Sequence, residues 1–209
     1  MSPWYGFWRR IVQVYFRFSH KIDYYHASRV PKTGGFILAA NHMSYLDPPL
    51  IGCASPRELY YMARKTLFRF WWSNWVLASV NVVPVDLQGS SLAAFKAVIR
   101  LLEDGKPVLI FPEGTRSVDG RLGEPEAGIG WLALKSGVPV VPARVWGTDV
   151  AMPKQGKGRR AHLEVKFGKP LNFDAGALPK DRRQASEAVA RRVMEAIAAL
   201  EPHQDVDKE

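Results

Sequence analysis

Apolar positions recur at steps of four and three from Trp4 through Trp8, Ile11 and Tyr15 to Phe18, which lines them along one helical face. Arg9, Arg10, Gln13, Arg17 and His20 gather away from that face, while Phe7, Val12, Val14 and Phe16 widen the apolar arc. Residues 2–22 therefore read as a basic amphipathic helix with aromatic anchors. Such a helix can lie in a membrane–water interface or dock on the protein's own core, and both can hold at once. After the turn at Lys32-Thr33-Gly34-Gly35 the period changes. Phe36–Ala40 is a continuous apolar run, as expected of a buried strand.

Short elements then alternate along the chain. The pattern predicts a helix from Pro48 to Ala54, a strand at Glu58–Met62, an aromatic helix at Thr66–Ser79 and a strand at Val82–Val85. A helix at Ser90–Leu102, a strand at Val108–Phe111, a helix at Gly128–Lys135 and strands at Val138–Val145 and His162–Phe167 follow. Gln184–Leu200 closes the series as an amphipathic helix with Ala185, Val189, Val193, Ile197 and Leu200 on one face. Strands that alternate with helices and are apolar on both faces predict an α/β fold, a largely parallel central sheet flanked by helices. Residues 1–30 read as an N-terminal interfacial helical segment, 31–201 as one α/β domain and 202–209 as a charged tail.

Charge sharpens this picture. The 209 residues carry a formal net charge of +9, together with seven Trp, seven Tyr and ten Phe. A basic chain seeks an anionic partner, and abundant Trp beside Arg favours lipid headgroups. No nucleic-acid-binding motif accompanies the charge, so no nucleic-acid partner is expected. The apolar run Phe70–Val85 is interrupted by Asn74, Asn81 and Pro84 and is too short to span a bilayer. Arg9 and Arg10 stand where a secretory signal needs an apolar core. Attachment to one leaflet is the membrane mode left open. Cys53, the single cysteine, admits no internal disulfide and lacks metal-site neighbours.

Two polar clusters follow apolar strands. Phe36–Ala40 runs into Asn41-His42-Met43-Ser44-Tyr45-Leu46-Asp47, and Val108–Phe111 runs into Pro112-Glu113-Gly114-Thr115-Arg116-Ser117. In an open parallel sheet both fall on the carboxyl rim, where ligands bind. His42 is the candidate general base, because imidazole can take a proton from an alcohol near neutral pH. Asp47 can fold back to orient it, or can serve as a helix cap before Pro48. With no G-x-S-x-G elbow and Cys53 in an apolar stretch, transfer without a covalent enzyme intermediate is the economical mechanism.

Asn41-His42-x4-Asp47, then Phe111-Pro112-Glu113-Gly114-Thr115-Arg116-Ser117, then Val138-Pro139-Val140-Val141-Pro142, together resemble the glycerolipid acyltransferase family, best known for its 1-acyl-glycerol-3-phosphate acyltransferases. The resemblance spans about residues 30–150. It implies a membrane-associated O-acyltransferase that moves a fatty acyl group from acyl-CoA or acyl carrier protein to a lysophospholipid hydroxyl, most simply giving phosphatidic acid. It implies His42 as base and Asp47 as its orienting carboxylate. Glu113, Gly114, Thr115 and Arg116 would form part of the acceptor site, Arg116 meeting a phosphate or else pairing with Glu113 or Asp119, with Asn41, Arg64 and Lys65 beside them. No metal or bound cofactor is implied; the expected partners are the lysolipid acceptor, the thioester donor and the lipids of one leaflet, on the cytoplasmic face. Relatives often carry an Arg where Leu87 stands and a Lys where Glu126 stands. Another lysolipid acceptor, including an amino-acid-headed one, or an inactive lipid- or thioester-binding relative, are the alternatives.

Overall fold

The computed structural model describes residues 1–68, 70–85, 91–174, 176 and 178–203, without the side chains of residues 72, 73 and 91. Leu87, the end of the charged tail and the Trp72 side chain lie outside this set. Seven strands form one sheet: β1 Lys21–Tyr25, β2 Ile37–Ala40, β3 Tyr60–Arg64, β4 Val82–Val85, β5 Val108–Ile110, β6 Val140–Trp146 and β7 His162–Phe167. Their spatial order is β1-β7-β6-β2-β5-β3-β4. Every neighbouring pair is parallel except β6 and β7.

All four residues of β2 are fully buried at the centre of the sheet, which is what its uninterrupted apolar run requires. One face packs under α1 (Pro3–Ser19) and α2 (Asp47–Ala54), with Phe16, Phe36, Leu50 and Phe167 fully enclosed. The other packs under α4 (Ser91–Glu103), α5 (Ala127–Ser136) and α7 (Arg182–Ala198), with Ile37, Leu132, Val193 and Ile197 at its centre. Each such side chain stabilises by about 1.5–3 kcal/mol. Gly130 lets α5 approach α7 closely, since a Cβ there would meet the Ser186 carbonyl.

Three elements depart from the pattern read off the sequence. Residues 21–25 are not part of the N-terminal helix: α1 stops at Ser19, His20 turns extended, and β1 joins the sheet along β7. The N-terminal segment is thus built into the domain, and the expected division near residue 30 does not separate two units. The aromatic helix expected at Thr66–Ser79 is two pieces, a 3-10 turn at Lys65–Phe68 and α3 at Trp71–Ser79, because Phe70 is extended. A one-turn helix, α6 (Thr148–Ala151), follows β6.

α1 has two working faces. Ser2 caps its N-terminus by accepting from the Tyr5 N–H (3.3 Å), and Pro3 fits the first turn. Tyr5 and Phe16 are buried, and Arg9 and Gln13 donate to the Cys53 carbonyl (2.8 and 3.3 Å), which the end of α2 leaves unpaired. The opposite face carries Trp4, Phe7, Ile11, Val14, Tyr15 and Phe18, all at least 44% exposed. Trp75 of α3 meets Trp4 edge-on (5.2 Å), so the two helices share one aromatic surface.

Candidate active site

β2 and β5 are adjacent and parallel, so the segments that follow them face each other across the carboxyl rim of the sheet. His42 leaves β2 two residues after Ala40, and its ring stacks on Phe111 at 3.9 Å and 15°. The backbone of His42 is clamped from the β5 side at two points. Its N–H donates to Glu113 Oε1 (2.9 Å), and its carbonyl accepts from the Ser117 N–H (2.8 Å). The residue is therefore held by backbone, ring face and ring edge together.

Asp47 supplies the edge contact. Its Oδ2 lies 2.8 Å from His42 Nδ1 and also accepts from the Met43 and Ser44 N–H groups, each at 2.7 Å. Its Oδ1 accepts from Thr148 Oγ1 at 2.5 Å. The carboxylate is fully buried and sits at the first residue of α2 rather than at its cap, where the helix terminus favours negative charge. Folding back across five residues works because the loop between is tightly turned, with Leu46 N–H and Asp47 N–H both directed to Ser44.

A carboxylate can only accept, so Nδ1 carries the ring hydrogen and Nε2 offers its lone pair. Nε2 has no partner among the described residues, and the His42 side chain is 17% exposed. The pair can take a proton from a hydroxyl brought to the rim, with Asp47 stabilising the imidazolium that forms. Cys53 offers no competing nucleophile, since burial pushes its thiol up to about 12.

The remaining expected site residues divide into two sets. Gly114 takes a left-handed turn (φ 66°), and Thr115 stands exposed beside it. The Arg116 guanidinium lies over the Tyr45 ring at 3.7 Å, with neither Glu113 nor Asp119 in ion-pair reach, so its plane is held by stacking. Arg64 ends β3, and Lys65 follows it, on the same rim but about 10 Å along the sheet, two strand spacings from β2. Two residues do not fit the expected acceptor role. The Asn41 side-chain amide uses both its atoms on the Val145 backbone, Nδ2 donating to the carbonyl (3.0 Å) and Oδ1 accepting from the N–H (2.8 Å), so Asn41 ties β2 to β6. Glu113 accepts from two backbone N–H groups, those of His42 and Gly123 (2.9 Å each), and so joins the rim loops.

Thr148, Tyr45 and the ring of Phe111 were not singled out from sequence for these contacts. Gly147-Thr148 directly after a strand was the one available sign, since it marks a helix start, but nothing in it points to a carboxylate 101 positions earlier.

A rim histidine oriented by a buried carboxylate, beside a stacked arginine and a glycine-turned loop, is an arrangement that can support group transfer to a hydroxyl. The chain belongs to the glycerolipid acyltransferase family: the family model described as Acyltransferase matches residues 21–146. It is similar to the 1-acyl-sn-glycerol-3-phosphate acyltransferase of Bacillus subtilis strain 168, 32% identical over 181 residues, which cover 83% of this chain and 87% of that one. A chloroplastic 1-acyl-sn-glycerol-3-phosphate acyltransferase of Arabidopsis thaliana is 33% identical over 65% of this chain, which spans 39% of that protein. The crystal structure of the 1-acyl-sn-glycerophosphate acyltransferase of Thermotoga maritima superposes with a TM-score of 0.77 at 26% identity, covering 95% of this chain and 81% of that one. The protein is an acyltransferase.

Proposed function

We propose that this enzyme acylates the free hydroxyl of 1-acyl-glycerol-3-phosphate, giving phosphatidic acid, while attached to one leaflet of a membrane at its cytoplasmic face. The observation that carries the reading is the His42–Asp47 pair, with Nε2 open on the rim beside Arg116. Nε2 removes the hydroxyl proton as that oxygen attacks the thioester carbonyl. The carbon–sulfur bond then breaks, and the imidazolium returns the proton to the departing thiolate. Arg116 receives the acceptor phosphate, its planar fork donating two parallel hydrogen bonds, with Arg64 and Lys65 adding charge along the rim. The donor is acyl-CoA or acyl carrier protein, and the route requires neither metal nor bound cofactor.

Membrane attachment is supported by the aromatic surface shared by α1 and α3, where Phe18 is 80% and Trp71 85% exposed. Among the described residues, no helix is long and apolar enough to cross a membrane. Because Tyr5 and Phe16 belong to the core, removing residues 2–22 would damage the fold. The sharper perturbation is Trp4, Phe7 and Phe18 to Ser, which should abolish vesicle binding and leave thermal unfolding in place.

A second reading, another lysolipid acceptor, is favoured by one contact. A Cβ on Gly114 would come within 3.2 Å of Glu126 Cγ, so Glu126 brings a carboxylate to the loop meant to receive phosphate. Thiol release from palmitoyl-CoA, and from an acylated carrier protein, offered with a panel of lysolipids, separates the readings. Release dependent on 1-acyl-glycerol-3-phosphate and lost in His42→Ala is expected. Release dependent on a different lysolipid alone selects the second reading, and undiminished turnover in folded His42→Ala overturns the mechanism.

A further inference from the structure

A groove of about 730 Å³ runs between the polar flank of α1 and the outer edge of β1, away from His42. Arg10 and Arg17 line it from α1, Lys21 from the start of β1. Neither arginine has a carboxylate in ion-pair reach among the described residues, and the lining contains no acidic side chain. Asp23, the nearest acid in sequence, shares a face of β1 with Lys21: its Oδ2 lies 3.9 Å from Lys21 Nζ and accepts from His162 Nε2 (2.6 Å), while Ile22 and Tyr24 face the other way. Burial, and then the charge of Arg160, lower the His20 imidazole, so this end of the groove is flanked by a further cation.

The backbone adds donors. β1 is the last strand of the sheet, and the Lys21 N–H donates inward to the Ala161 carbonyl (3.1 Å). By the alternation of a strand, Ile22 and Tyr24, which both line the groove, turn their N–H groups to the open edge. The groove therefore presents two arginines without a carboxylate partner and two outward amides to one space, with Lys21, paired to Asp23, at its end. Its wall on the α1 side includes Val14, which is half exposed and continues into the apolar stripe through Ile11 and Phe18.

We propose that this groove binds the headgroup of an anionic phospholipid, whose acyl chains leave over Val14 along the exposed stripe of α1. The shared chemistry, a phosphate ester, also belongs to free solutes; the apolar exit at Val14 selects the lipid. The inference rests on the interfacial docking of α1 argued above and adds to it a choice of lipid. Lys21 pairs with His162, and β7 runs antiparallel to β6, so the Lys21 end of the groove lies at the same rim of the sheet as His42. A bound headgroup would hold that rim at the lipid surface.

The test uses full-length protein and sedimentation with vesicles of phosphatidylcholine alone or mixed with phosphatidylglycerol. The wild type should bind the mixed vesicles at least about tenfold more tightly. Arg10→Gln/Arg17→Gln/Lys21→Gln should lose most of that ratio. Lys135→Gln/Lys169→Gln/Arg191→Gln, an equal charge change on exposed positions of the opposite face and the sheet end, should keep it. Equal ratios in the two triple variants would overturn the headgroup site in favour of diffuse attraction. So would a thermal shift from glycerol 3-phosphate at the groove with no preference for mixed vesicles. If the wild type binds neither vesicle, the docking reading itself fails; if it binds both alike, docking stands and the groove proposal falls.

Discussion

Replacing Thr148 with valine keeps the outline of the side chain and removes one hydroxyl. Thr148 is fully buried, and its hydroxyl is the partner of Asp47 Oδ1 among the described residues. The other three donors, His42 Nδ1 and the Met43 and Ser44 amides, all converge on Oδ2. Thr148→Val would therefore leave one oxygen of a buried carboxylate without a partner, and a hydrogen bond to a charged group contributes about 1.5–3 kcal/mol. A loss of about 2 kcal/mol would lower the unfolding midpoint by about 4–8 °C in a domain of this size. The carboxylate can also rotate once Oδ1 is released, which would loosen the His42 ring. If about 1.4 kcal/mol of that orientation is expressed in the transition state, turnover falls about tenfold.

The two effects are read by thermal unfolding and by thiol release in detergent at saturating acceptor. Thr148 acts as a positioning residue through Asp47, so the loss should fall on kcat and leave KM close to wild type. Thr148→Ser restores a hydroxyl at the same place and should recover both stability and rate. Valine protein with unchanged kcat and unchanged midpoint would refute the argument. A loss confined to KM would also refute it, because that would place Thr148 in substrate binding.

Further outcomes follow from other contacts. Glu113→Gln trades one acceptor oxygen for a donor facing a backbone N–H, and should cost about 1–3 kcal/mol in urea unfolding, with KM changed less than stability. Arg116→Lys keeps the charge but loses the flat group stacked on Tyr45; it should raise KM for a phosphate-bearing acceptor about tenfold or more while kcat changes little. Gly130→Ala should gain about 1 kcal/mol of helix propensity yet destabilise overall, because its methyl would meet the Ser186 carbonyl; a raised midpoint would contradict that packing. His20 lies below its ordinary 6.5 through burial first and Arg160 second, so the unfolded chain takes up the proton more readily. Stability from this group is fully present above pH 6.5 and is lost as pH falls from there through the lower folded-state value; His20→Gln should flatten the decline, measured by urea midpoints.

What could be read in advance depended on whether the physics was local. β2, β5 and β6 are buried on both faces, so each shows as an apolar run, and polar residues directly after such a run must lie on the carboxyl rim. The rim placement of His42 and Asp47 followed from that reasoning, and the attention to Arg116 from the resemblance its motif carries. β1 did not, because an edge strand is covered on one side. Lys-Ile-Asp-Tyr-Tyr keeps only Ile22 and Tyr24 against the core, too few to separate it from the helix before it. The break at Phe70 was hidden for the opposite reason: an aromatic run looks alike whether it is one helix or two.

The site adds a stricter limit. Asn41 and Glu113 sit inside motifs whose polarity reads as substrate contact, yet their oxygens are occupied by the backbone of β6 and of the facing rim loop. Polarity marks a residue that must find a partner in the folded state; it does not say whether that partner is a ligand or the chain. The distinction rests on burial. Asn41 and Glu113 are enclosed and satisfied internally, whereas His42 Nε2 and the Arg116 guanidinium are left facing the rim. Groups with hydrogen-bonding capacity left over at an open edge can do chemistry on something else, and by that criterion the reasoning that singles out the candidate site also singles out Arg10, Arg17 and the outward amides of Ile22 and Tyr24.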